Sequence, residues 1–324
     1  MLIHVPYPEF TYRSDIEYVW QQTSSGYYKT KGNASLRSVL MKGNQSELEL
    51  CPLFPPGLGK GKTRINVRGD PPSLEYIIEQ NPYVFNGGLS FPKDCTAQQK
   101  VAVIITYKDR WSHLLHLLHY LHPLLQKQQC HYRIFIVEQV TPGLFNKGRL
   151  YNVGFLTAMT FDQWDCVILH DVDLVPETED NLYRCADSPL HLSAGVDSLR
   201  YTLMYKELVG GVLAMKPHHY MKANGFSNSF WGWGGEDDDM ERRIDHVGLS
   251  VLHTSTQNGR YKMVPHLKQK PSPHRYKILH NENLWKLDGL NSMKFLDTKL
   301  LAVTNHRLYT NITVEVGESP DMIL

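Results

Sequence analysis

The sequence predicts an α/β fold built around a parallel sheet, and three observations carry that expectation. Short apolar, β-prone runs recur at 101–105, 132–137 and 166–169. Helical periodicity fills both intervals between them. The third run ends in Asp171-Val-Asp173, an acidic pair placed where ligands of such sheets gather, beyond the carboxyl ends of the strands.

Composition narrows the classes. The chain has 324 residues, 42% of them hydrophobic, which is ample for a core. Its 34 basic and 33 acidic residues leave a formal charge of +1 with no dense basic run, so nothing suggests a nucleic-acid partner. No apolar stretch approaches the roughly 18 residues of a membrane span, and the first 20 residues lack the basic and apolar regions of a signal peptide, so the chain as given reads as soluble. Five cysteines show no C-x-x-C spacing, leaving two disulfides and a free thiol open to them. Sequons at Asn33, Asn44 and Asn311 point toward a secretory route, and the missing targeting segment points the other way.

From Met1 to about Pro92 the chain is polar and broken by proline and glycine, and reads as an arm leading into a domain. Within it, Gly59-Lys-Gly-Lys-Thr63 looks like a fragment of a phosphate loop but lacks the upstream strand and glycine spacing. The run 101–105 fits a buried strand opening into Thr106–Arg110. Next, Leu114, Leu117, Leu118, Leu121 and Leu125 form a helical stripe that should pack on the sheet. His113, His116, His119 and His122 fall every third residue, a step that drifts around a helix, so a polar flank is expected rather than a metal site. Residues 146–159 read as a helix with Leu150, Val153, Gly154 and Leu156 inward. At Asp171 and Asp173, alternation lets one carboxylate face the crevice while the other braces loops, which suits a divalent cation beside a diphosphate. The plainer reading there is a strand-terminal turn. The paired glycines of Val209-Gly-Gly-Val212 let backbone approach a ligand.

Most of the chemistry lies in Phe230-Trp-Gly-Trp-Gly-Gly-Glu-Asp-Asp-Asp239. Its glycines allow sharp bends and close approach, and its indoles offer a platform for a sugar. Four adjacent carboxylates repel one another unless something disperses their charge. The first turn of a helix would also accommodate them. Beyond, Tyr261-Lys-Met-Val-Pro-His266 holds one histidine suited to a metal, Asp288-Gly-Leu-Asn291 reads as a turn, and 300–316 is β-prone.

Taken together, Cys51-Pro-Leu, Phe145-Asn-Lys-Gly-Arg-Leu-Tyr-Asn-Val-Gly-Phe155, Asp171-Val-Asp-Leu174, Gly210-Gly-Val, Trp231 to Asp239 and Asp288-Gly-Leu-Asn291 resemble the β-1,4-galactosyltransferase family. The resemblance runs from Cys51 to Gly317. It implies a Rossmann-like nucleotide-sugar fold of GT-A type, with residues 1–50 as a stem and 51–324 as one catalytic domain. It also implies an inverting, Mn²⁺-dependent transfer of galactose or N-acetylgalactosamine from a UDP-sugar to the 4-hydroxyl of a terminal N-acetylglucosamine on glycoproteins or glycolipids. Asp173, Met263 and His266 would ligate Mn²⁺, the thioether being an assignment owed wholly to the family. Thr106, Tyr107, Lys108, Arg110, Phe145 and Lys147 match the nucleotide segment, with Thr106 and Lys108 departing from its proline and arginine. Ser198 stands where many relatives have a phosphate-facing lysine, a role Arg200 could take over.

By the same resemblance Asp237 is the base, Glu236 orients the site, Asp238 and Gly211 contact substrate, and Trp233 covers the donor. Arg275, Tyr276 and Leu279 would receive the acceptor's N-acetyl group. Leu208 replaces an aromatic of galactose-preferring relatives and implies room for N-acetylgalactosamine; a plain galactosyltransferase and an inactive carbohydrate-binding relative are the alternatives. Disulfides Cys51–Cys95 and Cys166–Cys185, a free Cys130, and a Golgi lumenal location behind an N-terminal anchor not visible in this chain complete what the family implies.

Overall fold

A computed structural model describes residues 48–59, 63–267, 271–281 and 283–319. The sequons at Asn33 and Asn44, residues 60–62 of the phosphate-loop-like run and most of the proposed stem lie outside them.

The chain enters through helix α1 (Leu74–Gln80), whose N-cap Ser73 accepts from the amide of Tyr76, and a short strand β1 (Leu89–Ser90). Strand β2 (Lys100–Tyr107), helix α2 (Trp111–Lys127), strand β3 (His131–Gln139), helix α3 (Lys147–Ala158) and strand β4 (Cys166–Asp171) follow as the sequence predicts. Then come β5 (Leu174–Pro176), β6 (Leu190–His191), β7 (Gly195–Val196), β8 (Val212–Met215), helices α4 (Pro217–Lys222) and α5 (Glu236–His246), β9 (Leu252–His253) and β10 (Arg260–Met263). Helices α6 (Arg275–Leu279) and α7 (Leu284–Leu287) lead to the hairpin β11 (Lys299–Asn305) and β12 (Thr310–Glu315).

Among the described residues the main sheet runs β11-β12-β3-β2-β4-β8-β6-β9, and β5-β10-β7 form a second, small sheet. Strands β12, β3, β2 and β4 are parallel, as expected. Strand β8 is antiparallel to β4, so the sheet is mixed. No crossover helix separates the two, and β8 therefore starts beside the carboxyl end of β4. This reversal carries Gly210 and Gly211 to Asp171, whose amide donates to the Gly211 carbonyl at 2.9 Å.

Period-two alternation divides the core into two layers. Val101, Val103 and Ile105 pack with the leucines of α2, whereas Ala102 and Ile104 pack with α3 on the opposite face. Two expectations need correcting here. Helix α3 is buried all round, not on one side, because the segments at 226–228 and 297–298 cover its other face. The histidine row of α2 is no solvent-facing flank: His113, His116 and His122 are buried. His122 spans the Tyr132 hydroxyl at 2.8 Å and the Leu308 carbonyl at 2.9 Å, and His116 reaches the Gly69 carbonyl at 3.1 Å.

Disulfides join Cys51 to Cys95 and Cys166 to Cys185, leaving Cys130 free, the pairing the resemblance implies. Asn311 lies within β12, its amide donating to Glu138 at 2.9 Å. The turn at Asp288 docks on 224–228: its carboxylate accepts from the Asn228 amide at 3.0 Å, and the Leu290 amide donates to the Asn224 carbonyl at 2.8 Å. That dock fixes the approach to Phe230.

Candidate active site

The acidic stretch begins α5, and all four acids occupy its first turn. Gly235, at φ 95°, makes the entry bend, and the Gly234 amide donates to the Glu236 carboxylate at 3.1 Å. The helix N-terminus offers partial positive charge to these acids. The helical and functional readings of the stretch are thus compatible, since the turn that favours the charges also aims them. Gly210 touches the second of them: a Cβ built there would sit 2.6 Å from Asp237 Oδ2.

One buried cation gathers three of the surrounding carboxylates. Lys147 Nζ lies 3.0 Å from Asp171, 3.0 Å from Asp237 and 3.6 Å from Glu236. Burial alone would lower the lysine's pKa, but Asp171 and Asp237 raise it well above the ordinary value. Three carboxylates around one ammonium cannot all remain charged at low cost. Burial, reinforced by Asp237, pushes Glu236 up to about 7, and burial pushes Asp171 up to about 6 against the pull of Lys147. The Tyr151 hydroxyl, one turn beyond Lys147 on α3, donates to Asp171 at 3.3 Å.

Beside this cluster, Asp173 Oδ2 and His266 Nε2 stand 2.9 Å apart. His266 Nδ1 is 2.9 Å from the Leu267 carbonyl, which only accepts, so that nitrogen carries a proton. Nε2 therefore faces a carboxylate with either a second proton or a lone pair, and only a positive centre makes the latter favourable. Two neighbouring ligands of an octahedral cation are separated by about 3 Å, so the pair fits a shared metal. Pairing of Met263 with Leu174 across β10 and β5, together with the Val264 amide on the Asp173 carbonyl at 2.8 Å, brings Met263 next to Asp173. The Met263 amide also donates to Asp197 at 2.9 Å.

The remaining candidates make their own separate contacts. Thr106 and Tyr107 end β2 and are buried, and Phe145 packs against the α3 layer. Lys108 donates to the Thr141 and Gly143 carbonyls at 2.9 and 2.7 Å, so it braces the loop before Phe145. Arg110 Nη1 is 3.4 Å from His113 Nε2, and the His113 ring lies 6.1 Å from that of His266. Leu208 is half-buried just before the Gly210–Gly211 bend. Asp238 accepts from the Tyr205 hydroxyl at 2.7 Å. Trp233, 57% exposed, uses its carbonyl to accept from the Ser272 amide at 3.0 Å. Arg275 packs on Gly234 and covers the ring of Tyr276, its guanidinium 4.5 Å from the centroid. The Leu279 carbonyl accepts from Arg242 at 2.5 Å.

Known proteins resemble the chain in sequence and in fold. A family model described as the N-terminal region of glycosyl transferase group 7 matches residues 51–186, and one described as the N-terminal domain of galactosyltransferase matches 190–267. Beta-1,4-galactosyltransferase 4 of Cricetulus griseus is 43% identical over 297 residues, covering 90% of this chain and 85% of the relative. The chain belongs to the β-1,4-galactosyltransferase family. Within that family, human beta-1,4-galactosyltransferase 4 is 41% identical over 273 residues, 83% of this chain and 78% of the relative. A crystal structure of Drosophila β-1,4-galactosyltransferase 7 in complex with manganese, UDP-Gal and xylobiose superposes with a TM-score of 0.58 at 25% identity, over 69% of this chain and 96% of that one. The fold is the GT-A type of these glycosyltransferases.

In this family member the structure adds residues to the site that the sequence did not single out. Tyr151 had a legible signal, lying one helical turn from Lys147 on the same face. Tyr205 on Asp238 and Asp197 on Met263 had none, because loop geometry alone brings them there.

Proposed function

We propose that this protein is an inverting β-1,4-glycosyltransferase that moves a hexose from a UDP-sugar to the 4-hydroxyl of a terminal N-acetylglucosamine. Galactosyl transfer is the coarse activity its family membership supports. The observation that carries the finer reading is the seat of Asp237, pressed against the Gly210 backbone and held by Lys147 at 3.0 Å. There it can take the acceptor's proton as the 4-oxygen attacks the anomeric carbon from the face opposite UDP. One displacement gives inversion.

Asp173, His266 and Met263 would hold Mn²⁺, which when bound offsets the charge growing on the diphosphate. Lys147 holds and aims the Asp237 carboxylate, and Glu236 fixes the entry of α5 through Gly234. Asp238 receives acceptor hydroxyls in place of the Tyr205 hydroxyl, while Trp233 covers the donor and excludes water. Arg275, Tyr276 and Leu279 form the wall for the N-acetyl group, and Thr106, Tyr107, Arg110 and Phe145 line the nucleotide. Two disulfides suit the oxidising Golgi lumen in which we place the protein. Among the described residues no helix is long and apolar enough to cross a membrane.

Leu208 leaves room beside the donor sugar's C2, so UDP-N-acetylgalactosamine is a donor and the preferred one. Leu208→Tyr should cut the ratio of N-acetylgalactosamine to galactose transfer by about tenfold or more, read by donor competition with linkage analysis. A strong preference for UDP-galactose that the substitution does not change would refute the volume argument. Chelation should abolish transfer and added Mn²⁺ should restore it; full turnover in excess chelator would sink the cation assignment.

A further inference from the structure

Strands β6 and β9 pair in parallel with His191 opposite His253, so both imidazoles leave the sheet on one face. Their Nδ1 atoms are 3.0 Å apart and their ring planes cross at 88°. His191 is wholly buried, with Nε2 2.9 Å from the Gly210 carbonyl and 3.0 Å from Ser193 Oγ. A carbonyl only accepts, so Nε2 carries the proton. Burial holds the His191 pKa down to about 4 and keeps the ring neutral, which leaves only a lone pair at its Nδ1. The proton between the two rings therefore belongs to His253. Ser193 closes the arrangement, accepting from the Val212 amide at 2.8 Å and donating to Gly210 at 3.1 Å.

The held carbonyl belongs to the peptide that touches the base. A Cβ at Gly210 would meet Asp237 Oδ2 at 2.6 Å, and Gly211, at φ +100°, has Ser193 Oγ and Leu174 equally close. We infer that His191 and His253 form a hydrogen-bonded relay that positions the Gly210–Gly211 backbone against Asp237, making both positioning residues for the transfer proposed above, on which this inference rests. His253 also makes a backbone hydrogen bond at Lys206 and lies within reach of the Glu207 charge, in the loop that carries Leu208, and the charge of Asp237 reaches His191. The relay thus ties the edge strand to both ends of the donor-facing loop. Without the His253 donor, His191 can adopt its other tautomer and turn a lone pair on the Gly210 carbonyl.

The test compares His253→Leu, which removes the donor, with His253→Asn, whose amide nitrogen overlies Nδ1. For the Leu variant kcat should fall about five- to tenfold, the loss of roughly one hydrogen bond, with donor KM and UDP affinity within about twofold of wild type. The Asn variant should recover most of that loss. An unchanged kcat in His253→Leu, or an Asn variant as poor as the Leu variant, would overturn the relay. Nitrogen NMR of histidine-labelled protein tests it without turnover: His191 should show Nε2–H and His253 Nδ1–H, and the opposite tautomers would refute it. If wild type transfers no hexose, the proposed reaction fails, and the tautomers still decide the relay.

Discussion

Asp237→Asn should lower kcat by about 10² to 10⁴, the usual contribution of a positioned base. Asparagine keeps the shape that fits under Gly210 but cannot accept the acceptor's proton. Donor affinity in the presence of Mn²⁺ should change only a few-fold, because Asp237 does not belong to the Asp173–His266 pair. Removing one of three carboxylates around Lys147 also relieves repulsion, so the variant should fold at least as stably as wild type. Steady-state kinetics with a parallel UDP titration separates these effects. Turnover within a few-fold of wild type would show that another group takes the proton.

The second large effect is on stability. Lys147→Met keeps the unbranched stem of the side chain but strips Asp171, Asp237 and Glu236 of their shared ammonium, and removing one partner of a buried ion pair costs about 3 kcal/mol or more. The sign of its pH dependence follows from linkage. Without the lysine, Asp171 and Glu236, which burial already pushes up, hold protons more tightly in the folded chain than in the unfolded one, so the folded state binds more protons and stability falls as pH rises. Denaturant titrations at pH 5 and pH 7.5 should therefore show a deficit that is small in acid and grows toward neutrality. A deficit independent of pH would mean that lost packing, not charge, accounts for the change.

Much of the framework was legible because local signals agreed with one another. The three predicted strands appear within about two residues of their expected ends, and Asn146, read as the start of a helix, is its N-cap, accepting from the Arg149 amide at 2.9 Å. What the sequence could not convey is what only the assembled sheet decides. The direction of β8 depends on the end of β4 from which the chain returns, and nothing in Val212–Met215 encodes it. Burial of the α2 histidines depends on Gly69 and Leu308, which are remote in sequence. Asp171 and Asp237 were visible as acids, yet their common partner Lys147 emerges only when α3, β4 and α5 converge. The union of Asp173 with His266 similarly waits on the pairing of β5 with β10.

The crowding around Gly210 bears on how such an enzyme could change its sugar over evolutionary time. At position 208 a side chain can grow or shrink, since Leu208 is half-buried at the rim of the loop. Two residues later the first added carbon would strike Asp237, and at Gly211 it would strike Leu174 and Ser193 with a backbone that only glycine adopts comfortably. A lineage drifting toward another donor thus has a passable step at position 208, close to two positions where an added side chain has no room.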